Sequence, residues 1–258
     1  MPETFLILLA AGIMLAAAIS DPRQVTLQWL RLCGILALSM AALSLFFFTR
    51  RTAPLVHRAF TLSLYSATVA AILAQLALAQ TARRTAQRIS AALAAIAGIA
   101  AAISLLYPVT PSLPRSVILP SLLLFTSGIA AMTGLCLMDM LLGHAYLTAS
   151  RMGIAPFLRL NLWLAGAIGF RFASAAMIAP SLHARHPTYL FWGKYGLYIF
   201  TRWLVGLVVP AVFAYMAHDC IRRRSTQSAT GILYVAGVLV FIGELLALYL
   251  VTETGLPF

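Results

Sequence analysis

The sequence predicts an all-α fold, a polytopic membrane helix bundle of about eight transmembrane helices. Three observations carry that expectation. Hydrophobic residues make up 62% of the 258 and charged residues 9%, whereas a soluble domain carries roughly 25% charged residues. The apolar residues fall in runs near the length of about 20 that a bilayer core requires. The net charge is +12, and its cations cluster in the short breaks between runs, as basic loops anchored to an anionic leaflet do.

The first run extends from Thr4 to Ser20 and stops at Asp21-Pro22-Arg23. Glu3 precedes it and no Lys or Arg does, whereas a secretory leader starts positive. It reads as a retained first helix. The second run, Leu27 to Thr49, meets Arg50-Arg51, and the third, Ala59 to Gln80, meets Arg83-Arg84. The fourth, Ile89 to Tyr107, closes on Pro108, Pro111 and Pro114. Its small residues Ala94, Ala97, Gly98 and Ala101 permit close backbone packing. The fifth, Val117 to Leu147, is long enough to tilt. The sixth runs from Pro156, suited to a first turn, to Pro180, expected as a stop. The seventh spans Leu190 to Ala217 and the eighth Thr226 to Val251. Short connections make successive helices antiparallel neighbours.

Loop cations set the orientation. The loops after the odd-numbered segments hold Arg23, Arg83, Arg84, Arg88, Arg151, Arg222, Arg223 and Arg224. The opposite loops hold Arg50, Arg51, Arg58, Arg115 and Arg185. The bias places the first set inside and both termini outside, periplasmic in a bacterial cytoplasmic membrane. Nucleic-acid binding is excluded as a reading, since no basic region stands apart from the apolar runs.

The chain forms one integral membrane domain with a compositional shift inside it. Residues 1–108 supply Ala/Leu-rich scaffold helices almost free of interior charge. Residues 109–258 hold Asp139, His144, Arg171, Lys194, Arg202 and Glu244. Ionisable groups at membrane depth are costly, face the interior and mark sites or pairings. By helix direction, Arg171, Arg202 and Glu244 fall at similar depth on three consecutive helices. Lys194, Tyr198 and Arg202 follow one another at i, i+4, i+8, and Gly237, Phe241 and Glu244 share a stripe. Two readings stand side by side. In one, Glu244 neutralises one arginine, backbone carbonyls or Ser174 satisfy the other, and the pair fixes helix register. In the other, two arginines and a lysine against one glutamate leave positive charge seeking an anion or carbonyl oxygen.

Nearer the other face, Asp139 and His144 sit five residues apart, roughly 140° around a helix. They cannot both aim at one small metal ion, and a proton relay is the functional expectation for them. Gln75 lies at a depth from which it could hydrogen-bond Asp139. Gly143 would let another helix approach closely. His144 and His218 near two helix ends form a weak haem b candidate pair; no other metal site is expected. His183, Arg185 and His186 in SLHARHP read as a solvated turn. Cys33, Cys136 and Cys220 lack CxxC spacing and read as small buried hydrophobes.

Phosphate-loop, HExxH, GxSxG and repeated CxxC motifs are absent. A catalyst acting alone on a soluble substrate is therefore disfavoured. The eight-helix count and compact size resemble the membrane anchors of polysulfide- or dimethyl-sulfoxide-reductase-type complexes. That resemblance is of topology and carries over no residue; it implies a quinone-binding subunit docked onto partner subunits that hold the redox centres. The expected function is accordingly a membrane-embedded subunit of a respiratory or electron-transfer complex, with a quinone or lipid-headgroup pocket. The alternatives are a small-solute secondary transporter, which would place its site at a helix broken near Gly206 and Pro210, and a structural or assembly subunit.

Overall fold

A computed structural model describes residues 1–21, 24–51, 57–81, 83–110, 115–148, 153–185 and 188–257, of which 115–116, 148, 178–185 and 188–192 are described by backbone alone. The described residues are helical throughout, apart from short connections. The elements are α1 (Pro2–Ile19), α2 (Leu27–Arg50), α3 (Arg58–Gln80), α4 (Arg84–Leu106), α5 (Arg115–Thr148), α6 (Ala155–Arg185), α7 (Thr188–Trp203), α8 (Val209–Arg222) and α9 (Thr226–Thr254). A π-helical segment, Leu204–Val208, joins α7 to α8. Among the described residues, eight stretches are long and apolar enough to cross a membrane, the seventh running from Gly193 to Arg222.

The burial pattern is that of a protein dissolved in lipid. Large apolar side chains such as Ile96, Leu197 and Tyr215 are 64%, 74% and 76% exposed, while Arg171 and Glu244 are 0% exposed. A soluble protein would reverse this arrangement. The chain is a multi-pass integral membrane protein.

Small residues set the helix contacts, as packing between helices in lipid requires. α1 is an interior helix packed on α2, α4 and α5. Its Gly12 lies against the backbone of Gly134 on α5. Gly98 on α4 faces Ala11 and the Ile7 carbonyl of α1, as the run of small residues in the fourth segment predicts. α5 also packs on α6 and α9, and α9 on α8. The α2 N-terminus is capped by Thr26, whose hydroxyl accepts from the Trp29 N–H at 3.2 Å. α9 ends at Gly255, where φ of 70° suits a residue without a Cβ.

The expected stop of the sixth segment is not observed: α6 continues through Pro180 to Arg185, just as α5 carries Pro120 inside it, where the expected fifth run also had it. Proline ends helices in water, but neighbouring helices and local adjustment let membrane helices tolerate it. Part of the expected SLHARHP turn is therefore helix; His186 and Pro187 lie outside the described residues. The seventh span is also not uniform. Pro210 has no N–H to return to the Gly206 carbonyl, and the chain responds by widening into a π turn. Val209 donates its N–H to the Leu204 carbonyl, five residues back.

Candidate functional site

Arg171 comes from α6, Arg202 from the last turn of α7 and Glu244 from α9, and all three are at most 1% exposed. They meet. Arg171 donates through Nε to Glu244 Oε1 and Oε2, each at 3.2 Å, and through Nη2 to Oε2 at 3.1 Å. Arg202 donates through Nη2 to Oε1 at 3.1 Å. The Arg171 guanidinium lies 4.7 Å from the Phe125 ring centroid, and its Nη1 reaches Ser174 Oγ at 3.4 Å. Sequence depth suggests that these three could meet, and the structure brings their side chains into contact. The single glutamate bonds both arginines, and Ser174 assists Arg171.

Glycines make the convergence possible. A Cβ on Gly128 of α5 would stand 2.8 Å from Arg171 Cδ, so only glycine there leaves room for the arginine stem. A Cβ on Gly206 would lie 2.6 Å from Gly243 Cα and 3.1 Å from Arg202 Nη1. The π turn and α9 therefore touch backbone to backbone, which draws Glu244 beneath Arg202.

The triad is not electrically balanced, since two guanidiniums face one carboxylate. Arg202 Nε and Nη1 are buried with no hydrogen-bond partner among the described residues. Buried polar atoms almost always have a partner, so these two donors mark the one chemically open place in the triad.

Lys194 and Tyr198 do not join it. The Lys194 side chain is 66% exposed and its Nζ stands 3.9 Å from Glu253 Oε2. Tyr198 is exposed and packs on Tyr249, ring centroids 5.3 Å apart. An i, i+4, i+8 ladder drifts by about 80° over its length at 3.6 residues per turn. That drift turns Arg202 inward while the other two face outward. The stripe on α9 likewise divides. Gly237 approaches Cys136 of α5, Phe241 packs edge-on to Phe5 of α1 at 5.7 Å, and Glu244 meets the arginines.

Asp139 is fully buried between α5 and α6 and accepts from Asn161 Nδ2 at 3.0 Å. Its Oδ1 and the Asn161 Oδ1 have no partner among the described residues. Gln75 donates instead to the Leu30 carbonyl at 3.2 Å, tying α3 to α2. His144 is exposed, one and a half turns along α5 from Asp139. Gly143 does admit another helix, with α9 Thr230 and α6 Phe157 against it. His218 is half-buried, with Nδ1 unpartnered among the described residues. It lies on α8, which shares no extended interface with α5. The side chains of His183, Arg185 and His186 lie outside the described residues. No cluster of three or more His, Cys, Asp or Glu fit for a metal occurs among the described residues. Cys33 and Cys136 are buried, Cys220 is half-buried, and all are free.

Sequence reasoning missed Asn161, Phe125 and Gly128. Asn161 carried a signal, being a lone amide in an apolar run. Phe125 and Gly128 share a face of α5 at i, i+3, but nothing in their identity points to an arginine. No protein-family model, curated protein or solved structure matches the chain.

Proposed function

We propose that the Arg171–Glu244–Arg202 triad is the polar end of a site for a carbonyl- or phosphate-bearing lipophile, a quinone or a lipid headgroup. In this reading the chain is the membrane-embedded subunit of an electron-transfer assembly in a bacterial cytoplasmic membrane, with both termini periplasmic. Residues 1–108 are its scaffold, and residues 109–258 carry the chemistry.

One observation carries the proposal: Arg202 is fully buried, and its Nε and Nη1 have no hydrogen-bond partner among the described residues. A carbonyl or phosphate oxygen placed there would satisfy both donors and offset the excess charge, by the charge-assisted bonding that arginine favours. Stability alone gives little reason for the triad, because well-packed apolar side chains in place of buried ions are often neutral or stabilising. Asp139, with one carboxylate oxygen open, and His144 further along α5 are the groups that would carry protons for quinone chemistry. Partner subunits would supply the electron-transfer centres.

The π turn favours a second reading. A helix interrupted at Leu204–Val208 directly after Arg202 is the kind of break at which secondary transporters bind substrate. The triad would then bind a small anionic solute.

Purification in mild detergent separates these. The subunit reading expects fixed co-purifying partners and a quinone, or a bound lipid headgroup, that leaves in Arg202→Gln. The transporter reading expects a protein that purifies alone and is stabilised by a small anion. Absence of any ligand effect, unchanged by Arg202→Gln, would reduce the triad to a packing lock.

A further inference from the structure

A second site lies away from the triad. A cleft of about 290 Å³ opens between α3, α4 and the start of α5. Phe60, Ala100, Ile103 and Leu119 give it apolar walls, and His57 and Tyr107 stand where α3 begins and α4 finishes. Phe60 and Leu119 are 59% and 55% exposed, so the cleft is open to whatever surrounds the bundle, which is lipid.

Of the three hydroxyl-bearing residues that line the cleft, Thr61 and Ser104 stand between its helices and have their protons committed. Ser104 donates to Thr61 Oγ1 at 3.1 Å and Thr61 donates to the His57 carbonyl at 3.2 Å. Apart from the Tyr107 phenol at the end of the cleft, the walls therefore offer no uncommitted hydroxyl to a polar solute, and hydrocarbon is the favoured filling. Apolar cavities of roughly 150 Å³ take up benzene. The larger volume here accommodates a length of alkyl chain.

Charge selects the headgroup. Arg58 follows His57 at the start of α3, with its guanidinium 5.8 Å from the Phe48 ring centroid. Arg50, across the α2–α3 connection, stands 5.1 Å from the Phe46 centroid. Neither has a carboxylate partner among the described residues, whereas Arg51 is bonded to Glu3 at 3.0 Å. These two cations, without a carboxylate partner among the described residues, stand at the ends of helices long and apolar enough to cross a membrane.

We propose that the cleft holds one acyl chain of an anionic phospholipid, with its phosphate at Arg58 and His57. The site serves as a specific lipid position rather than part of the general lipid annulus. It is independent of the triad.

Native mass spectrometry of the delipidated full chain tests this, with phosphatidylglycerol and phosphatidylcholine of identical chains as the probes. The wild type should retain phosphatidylglycerol roughly fivefold more strongly, the effect of one basic side chain at an anionic headgroup. Arg58→Gln should abolish that preference and leave chain binding in place. Ala100→Trp and Leu119→Trp should displace both lipids by filling the cleft. Leu119 is largely exposed, so its variant decides the matter if Ala100→Trp fails to fold. Equal retention of the two lipids by the wild type, or wild-type retention in Leu119→Trp, would mean annular lipid only and would overturn the proposal. Every variant leaves the triad intact, so these outcomes bear on the cleft alone.

Discussion

Arg171 and Arg202 share the Glu244 carboxylate unequally. Arg171 holds it through Nε and Nη2, stacks on Phe125 and reaches Ser174, while Arg202 touches it through Nη2 alone. Three buried charges on three spans thus divide into one arginine with a full set of partners and one with donors to spare. The first is suited to hold α6 to α9. The second is suited to meet something else.

That asymmetry predicts unequal costs. Arg171→Gln strips Glu244 of its main partner and should cost about 3–5 kcal/mol, as breaking a buried pair does. Arg202→Gln removes one bond and the excess positive charge, so its cost should fall to about 0.5–1.5 kcal/mol, the worth of a single hydrogen bond. Denaturant or thermal unfolding in one detergent measures both. Equal losses would show that the two arginines are interchangeable supports.

Glu244→Gln should also destabilise strongly, because two guanidiniums then face each other in a dry interior. The triple variant Arg171→Met, Arg202→Met, Glu244→Leu should recover most of that loss, since buried ions traded for packed apolar groups are often neutral or better. If the triad binds a ligand, the triple variant is stable but takes up none. A stable triple variant with wild-type ligand retention would remove the triad from the site.

Gly206 and Gly243 bring the π turn and α9 into backbone contact. A methyl group on either has nowhere to go without separating the helices. Gly206→Ala or Gly243→Ala should therefore cost about 1–3 kcal/mol, as overpacking does. Each should also loosen the Arg202–Glu244 contact one turn away. Gly166→Ala on α6, where an added Cβ meets nothing within 4 Å, is the control and should be silent. Loss of stability in all three would point to a general helix effect instead of the crossing.

Much of this arrangement is readable from residue order, for a definite reason. Lipid imposes run lengths near one bilayer thickness, so all eight spans are visible as composition, and the expense of buried charge makes Arg171, Arg202 and Glu244 conspicuous at matching depth. Rotation about each helix axis is much less visible. A ladder at i, i+4, i+8 drifts by about 80° around the helix axis, which is why Lys194 and Tyr198 align with Arg202 in sequence yet face away from it in space. Contacts made by absence, such as Gly128 yielding room to Arg171 or Gly206 meeting Gly243, have no marker in the sequence beyond a glycine among many. The passage of α6 through Pro180 was illegible for another reason: proline's helix-breaking rule comes from water, and neighbouring membrane helices relax it.

Asp139 and Asn161 provide the last test, because their pairing is incomplete. One bond joins Asn161 Nδ2 to Asp139 Oδ2, and each residue keeps an Oδ1 acceptor with no donor among the described residues. Two acceptors and one useful donor group make a frustrated pair. Asp139→Asn supplies amide protons at nearly unchanged volume, so it should match or exceed wild-type stability, by up to about 1 kcal/mol for the added bond. Asn161→Leu leaves the carboxyl group buried with no partner and should cost about 1–3 kcal/mol or more. Unfolding measurements in detergent compare the two directly, and a destabilised Asp139→Asn would mean that the carboxyl group itself holds α5 to α6. Should Asp139→Asn prove stable, it becomes the sharpest probe of a proton role. It preserves the packing and the Asn161 contact while removing the titratable group, so loss of proton-coupled turnover in a folded Asp139→Asn protein could not be attributed to structure.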